Sequence, residues 1–375
     1  MSGQGTLLIS EYVLEISKTD KMDDEVGPVL FGLFGEVGGI MAAAKKHHRE
    51  GKAFPGYRTA VEEEFGDTLW YLAAICRRLE FSLEDLLDKA TLSDDFASVI
   101  AASDVHHGSL SRIIAPKHVE KLDDALLTLG KAAADLLILP DEKDKQEKLL
   151  RQFVDRYLKT LDVAELSFAQ IARSNLKKTT GRFLKTEPST LPRFDAQFSP
   201  EEKLPEQFEI HVNERSSGKS YLRWNGVFIG DPLTDNIRDE DGYRFHDVFH
   251  FAHAAILHWS PVMRALIKQK RKSIPSYDEA QDSGRAIVVE EGLTAWIFSK
   301  AKELNFFENQ AKISFDLLKT VQSFVQGYEV DQCPLSLWEE AILQGYDVFR
   351  KVRSNQGGII IGDRSSRSLQ YKALP

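Results

Sequence analysis

The sequence predicts a mainly α protein in two parts, an N-terminal all-α helical bundle and a C-terminal α+β domain with a β-hairpin and a histidine-bearing helix. Three observations lead there. From Leu7 to Phe183 apolar residues recur mostly at helical spacing. Pro188, Pro192, Pro200 and Pro205 then break the pattern among small and charged residues. Beyond them Gln207 to Asn213 and Tyr221 to Ile229 alternate with the period of a strand, on either side of a Ser216-Ser217-Gly218-Lys219 turn. The expected domains are therefore 1–183, a linker 184–206, and 207–375.

Composition sets the outer bounds. A chain of 375 residues has room for two or three domains. Its formal net charge of −9 argues against binding nucleic acid through bulk electrostatics. Cys76 and Cys333 are the only cysteines, which excludes a disulfide framework and a cysteine-type zinc site and suits the cytoplasm. Met1 to Thr6 lacks the features of a signal peptide, and no stretch is read as reaching the ~18 apolar residues of a span, so no membrane partner is expected.

In order, residues 6–20 form an amphipathic helix. Val29 to Arg49 forms the first acidic helix, in which Gly32, Gly35, Gly38 and Gly39 imply close approach of a neighbour, because glycine costs up to ~1 kcal/mol against alanine in a helix. Tyr57 to Leu79 forms the second. In it Glu64 and Asp67 stand three apart and share one face. Two carboxylates so placed repel unless a cation sits between them, and magnesium is the natural oxygen-liganded choice. The alternative is a solvated acidic first turn that complements the helix dipole. Ser82 caps a third helix through Lys89, and residues 91–115 are mixed and turn-prone.

Leu33-Phe34-Gly35-Glu36-Val37-Gly38, Lys45-Lys46, Arg49-Glu50-Gly51, Glu63-Glu64-Phe65-Gly66-Asp67 and Ser82-Leu83-Glu84-Asp85-Leu86 follow one another with natural spacing. This run resembles the MazG family of all-α nucleoside triphosphate pyrophosphohydrolases, whose members hold magnesium with an E-x-x-E pair on one helix and an E-x-x-D pair on the next. The resemblance implies Glu36, Glu64 and Asp67 as magnesium ligands, with Glu63, Glu64 and Asp67 as the catalytic set. The fourth ligand position holds Gly39, one carboxylate short.

A second, faded copy of the pattern spans 116–183, so that residues 1–183 read as an internal pseudo-dimer with an active half 1–90. Leu129-Gly130-Lys131 parallels Phe34-Gly35-Glu36, and Gln152-Phe153-Val154-Asp155 parallels Glu64-Phe65-Gly66-Asp67. Lys131 and Gln152 replace the carboxylates, so no metal is expected there. The copy ends in Asn175-Leu176-Lys177-Lys178, similar to the family's Asn-x-x-Lys tail. Lys45, Lys46, Asn175 and Lys178 are the candidate substrate contacts. A basic helix C-terminus favoured by the dipole explains the tail equally well.

In the second domain His246, His250 and His253 are spaced four and three apart and share a helical face. Glu290 and Glu291 lie on a later helix and complete a His/Glu set suited to a transition metal such as zinc. A hydrogen-bonded core network and a metal-free acid/base pair remain alternatives. Gly242 to Phe251 and Ala286 to Gly292 resemble the extra domain of some MazG-like proteins. Lys268, Lys270, Arg271 and Lys272 make a basic patch, either a solvated face or a site for phosphates. Residues 306–326 and 335–353 read as helices and Ile359 to Ile361 as a strand. The expected function is a magnesium-dependent hydrolase converting an NTP or dNTP to monophosphate and pyrophosphate, in an enzyme expected to be a homo-oligomer. The alternative is a nucleotide sensor with a degenerate site that regulates a metal-dependent C-terminal domain.

Overall fold

A computed structural model describes residues 8–91, 121–184, 188–235, 238 and 240–374. The expectations for Met1 to Thr6 and for most of residues 91–115 lie outside these. The chain divides into two compact units, Met1–Leu184 and Lys185–Pro375. It is mainly helical, with α+β structure in the second unit.

The described helices of the first unit are α1 (Ile9–Ser17), α2 (Val26–Glu50), α3 (Tyr57–Arg78), α4 (Leu83–Thr91), α5 (Leu122–Leu136), α6 (Lys143–Val163) and α7 (Phe168–Phe183). Leu30, Leu33, Val37 and Ile40 of α2 pack with Phe65, Leu69 and Leu72 of α3 in one core. Of the five α2 glycines, two meet a neighbour. A Cβ on Gly32 would overlap the Tyr71 ring, and one on Gly39 would meet the Glu64 carboxyl group. Gly35 and Gly38 face open space and do not serve close packing. Within Val26–Ala53 a window of 18 residues with mean hydropathy 1.6 is long and apolar enough to cross a membrane, contrary to the sequence expectation. Glu36 interrupts the run to the eye but does not lower its average enough. The same composition here supplies one core face of a bundle.

The two halves of the unit share local geometry. At the end of α3, Leu79 N–H donates to Ile75 O (2.9 Å) and Phe81 N–H to Cys76 O (2.8 Å), while Glu80 takes φ 58°. At the end of α6, Ala164 N–H donates to Thr160 O (3.0 Å) and Leu166 N–H to Leu161 O (3.0 Å), while Glu165 takes φ 54°. Each is a helix stop with one left-handed residue. Ser82 Oγ then accepts from Asp85 N (3.1 Å), and Ser167 Oγ from Gln170 N (3.3 Å). The packing is reciprocal, α4 lying against α6 and α7 against α3.

The second unit holds a five-stranded antiparallel sheet of order β3-β2-β1-β4-β5, with β1 (Gln207–Glu214), β2 (Ser220–Trp224), β3 (Val227–Leu233), β4 (Gly357–Asp363) and β5 (Ser368–Lys372). The single strand expected over Tyr221 to Ile229 is two. Asn225 (φ 47°) and Gly226 (φ 81°) form a two-residue turn between them, which Asn-Gly favours because both tolerate positive φ. Its helices are α8 (Asp247–Ala252), which runs into a π-helical turn at His253–Leu257, then α9 (Pro261–Leu266), α10 (Pro275–Ala280), α11 (Gly284–Glu303), α12 (Phe315–Phe324) and α13 (Leu335–Asn355). Helix α13 packs on α8, β4 and β5. The helix expected over 306–326 is confined to α12, because Asn305, Phe306, Phe307 and Asn309 all take positive φ.

Residues 191–206 are not a free linker. Phe194, Phe198, Leu204 and Asp195 are buried in the second unit. Asp195 Oδ2 accepts from Arg264 (2.8 Å) and from Leu204 N (2.9 Å), and its Oδ1 accepts from Arg364 (2.8 Å). Burial pushes the Asp195 carboxyl up, but Arg364 and Arg264 outweigh it and hold the carboxyl below its ordinary range. The basic patch is likewise divided. Arg271 is fully buried and pairs with Asp282 (2.7 Å) and Glu329 (2.6 Å), while Lys268 and Lys272 face solvent.

Candidate functional site

Two clusters of chemistry-bearing residues stand out, one in each unit. In the first unit α2 supplies Glu36, α3 supplies Glu63, Glu64 and Asp67, and α7 supplies Asn175 and Lys178. Glu36 is half-buried with the Glu64 carboxyl group beside it. Burial first, then the adjacent Glu64 carboxyl group and the charges of Asp67 and Glu64, push Glu36 up to about 8. Asp67 is also raised, since burial outweighs the pull of Lys178.

The second half of the pseudo-repeat reaches into this cluster. Lys178 Nζ lies 2.5 Å from Asp67 Oδ2 and 2.6 Å from Glu63 Oε1. Burial lowers its pKa, yet those two carboxylates raise it further, so the ammonium stays charged. Asn175 is buried, donates through Nδ2 to Asp67 Oδ1 (2.9 Å) and accepts at Oδ1 from the Tyr12 hydroxyl (2.9 Å). Gly66 lets α7 approach, since its Cβ position is 3.0 Å from Asn175 Cβ.

Lys45 and Lys46 are not brought to the cluster. They lie nine and ten residues beyond Glu36 on α2, roughly 14–15 Å along its axis. Lys46 sits over the Phe54 ring at 4.2 Å and near Glu50 at 4.0 Å. The place of the fourth family carboxylate, beside Gly39, is filled by the Glu64 carboxyl group, whose Cδ is 2.7 Å from the position of a Cβ.

In the second unit the three histidines and both glutamates converge. His253 Nδ1 donates to Glu290 Oε1 (2.9 Å), and His250 Nδ1 is 3.1 Å from the same oxygen. On the other side, Glu291 Oε2 lies 3.4 Å from His250 Nε2 and 3.6 Å from His246 Nε2. Consecutive residues on α11 point about 100° apart, which lets Glu290 and Glu291 address the two edges of one imidazole. His250 is completely buried, and both its nitrogens lack an aligned hydrogen bond although carboxylate oxygens are near. Burial disfavours its cation, but Glu290 and then Glu291 outweigh this and hold it at about 10. Glu290 goes down to about 2, and Glu291 lower still, against the upward push of burial.

Residues 189–375 match the family model of the MazG C-terminal domain. This match supports MazG-like family membership. It covers nearly all of the second unit and none of the carboxylate cluster. No curated protein and no solved structure matches the chain.

Within the matched residues 189–375, ligand atoms of His250, His253 and Glu290 lie within 4.8 Å of one another, and so do those of His246, Asp247 and His250. Asp247 was not singled out from the sequence, although it adjoins His246. Nor was Tyr243, whose ring stacks on His246 at 4.4 Å and 5° between planes. In the first unit Tyr12 reads from the sequence only as part of an amphipathic helix, because its partner Asn175 is 163 residues away. The π turn that begins at His253 opens the helix where the histidine ladder ends, a distortion frequent at functional sites.

Proposed function

We propose that the first unit hydrolyses a nucleoside triphosphate between its α- and β-phosphates, giving a monophosphate and pyrophosphate, with magnesium as cofactor. The observation that carries this is the carboxylate cluster: Glu36, Glu63, Glu64 and Asp67 lie together with one ammonium, Lys178, which pairs with Glu63 and Asp67. Such a set is short of positive charge and consists of oxygen donors, which fits one hard divalent cation. Glu36, Glu64 and Asp67 would hold it. Magnesium bound there neutralises phosphate charge and activates water for attack.

The chain's own residues supply the rest. Glu63, next to the ligands, orients the water and takes its proton. Asn175, fixed by Tyr12, holds the Asp67 carboxylate in one orientation. Lys178 releases Asp67 and Glu63 to meet the incoming phosphates, which offer it the same charge-assisted hydrogen bonds. The MazG-like match supports a nucleotide as substrate class, and the fit with nucleotide-pool sanitation or nucleotide depletion under stress or phage attack follows from that chemistry. The test is pyrophosphate release from each common NTP and dNTP with magnesium. Orthophosphate alone, or no turnover, contradicts the proposal.

One observation favours a second reading. Because the Glu64 carboxyl group occupies the space beside Gly39 and Lys178 is already paired, the unit also suits a nucleotide sensor that binds without turnover. Nucleotide affinity measured in the absence of any pyrophosphate release would decide for it.

A further inference from the structure

The sheet of the second unit contributes only one of its faces to the core. Ile210 and Val212 of β1, Leu222 of β2, Ile229 of β3, Ile360 of β4 and Leu369 of β5 pack there with α8 and α13. None of the residues that alternate with them on the five strands belongs to that core. We propose that this outer face binds single-stranded nucleic acid, with bases stacking on Phe228 and on the Arg215 guanidinium and phosphates meeting Lys219, Arg223 and Lys372.

The register brings these side chains together. Phe228, Arg223, His211, Ile359 and Lys372 form one row across the five strands. Asn213 and Tyr221 pair in the next row, and beyond them Arg215 N–H donates to Lys219 O (3.0 Å) at the turn. Charge is sorted along the face. Arg215, Lys219, Arg223 and Lys372 are exposed, and no carboxylate pairs with any of them among the described residues. The two acids of the same face lie toward its other end, Glu209 opposite Ile361, and Asp363 opposite Gln207 and hydrogen-bonded to it (2.9 Å). Glu214 belongs to the inner face and pairs with Arg244 (3.1 Å), while Asp231 lies in the irregular stretch of β3 between Ile229 and Leu233. The end of the face near the β1–β2 turn is therefore positive in a chain of net charge −9. The expectation against nucleic acid rests on that bulk charge, and a local basic face escapes it.

Aromatic planes stand among these cations. Arg215 lies over the Tyr221 ring at 4.3 Å and 5.4 Å from the centre of the Phe228 ring, and the two rings meet edge to face at 5.9 Å. A guanidinium held flat on a ring offers its other side to a base, as an aromatic ring does. Phe228 itself is 56% exposed. A lone exposed ring needs no explanation, but one beside a stacked guanidinium and three unpaired cations has the composition of a single-strand platform. An acidic peptide would satisfy the cations and leave Phe228 bare. A nucleic acid strand satisfies both.

The test is fluorescence anisotropy of labelled oligothymidylate and oligouridylate of about 12 nucleotides with the full chain in magnesium-free buffer. Three phosphate contacts predict a salt slope near −2, so affinity should fall roughly 20-fold between about 50 and 200 mM salt. Phe228→Ala should weaken binding by roughly 5–150-fold, and Phe228→Trp should preserve it. Arg223→Gln should reduce the slope by about 0.7. Phe228 and Arg223 are exposed, so neither substitution touches the core. Absence of binding at low salt overturns the proposal, as does equal or tighter binding of a duplex of the same length. Binding that survives Phe228→Ala and is competed away by ATP would belong to the first unit. Self-association that Phe228→Ala abolishes, without oligonucleotide binding, would make the face a protein interface. Either result also overturns the proposal.

Discussion

Glu64 has two close neighbours, the Glu36 acid and the bare backbone of Gly39 against which its carboxyl group rests. Glu64→Gln and Asp67→Asn should each cut magnesium-dependent pyrophosphate release by about 100-fold or more with melting temperature little changed, as expected for loss of a charge-stabilising group in place. Wild-type turnover in either variant would remove that residue from the site. Gly39→Ala should separate stability from function. The new methyl group must displace the Glu64 carboxyl group, so activity should fall while helix propensity contributes up to ~1 kcal/mol of stability. A variant as active as wild type would mean that Glu64 works from another position. The missing fourth carboxylate was visible in the sequence, but its consequence was not. Only the packing of α2 against α3 reveals that Glu64 takes up the space.

Buried ion pairs dominate at the scale of elements. Asp195 ties the stretch before β1 to α9 and to the residues after β4 through Arg264 and Arg364. Asp195→Asn removes the charge and leaves two buried guanidinium groups undercompensated, so it should destabilise the second unit by about 3–5 kcal/mol in denaturant melts. A loss below about 1 kcal/mol would show that water reaches the network. These same residues explain why a linker was expected there. Four prolines and many charges are the mark of exposed chain, and nothing local tells that Asp195 has partners 69 and 169 positions away. Helices α2 and α3 were legible because their apolar spacing is regular over many turns, and the shared helix stops at Glu80 and Glu165 give the faded repeat a backbone counterpart. The Asn225-Gly226 turn was written in the sequence and overlooked, since alternation on both sides ran on through it. Strand β5 had no such signal. Its place beside β4 depends on Tyr371 packing over the bare Gly358.

For the molecule as a whole, pH and metal should act on the first unit together. Glu36 is held near 8 against an ordinary 4.5, so the folded state binds more protons than the unfolded one between those values. Without metal, its contribution makes stability fall as pH rises from about 4.5 to 8 and level off above. Magnesium competes with the Glu36 proton, so its stabilising effect should grow over the same range. Thermal melts at pH 6 and pH 8.5 with and without magnesium check this, and an equal magnesium effect at both would place the ion elsewhere. The histidine ladder was legible in the sequence as a site because its spacing survives folding. The division of labour between Glu290 and Glu291 was not, since adjacent residues differ only in what the fold puts beside them.

The central claim, that the carboxylate cluster of the first unit makes this chain a nucleoside triphosphate pyrophosphohydrolase, is tested most directly by phosphorus NMR of the products. The full chain is incubated with magnesium and each common NTP and dNTP. At least one should give monophosphate and pyrophosphate in equal amounts, with the signals absent from Glu64→Gln. Orthophosphate and diphosphate nucleotide as products, no turnover of any nucleotide, or full activity in Glu64→Gln would contradict the account.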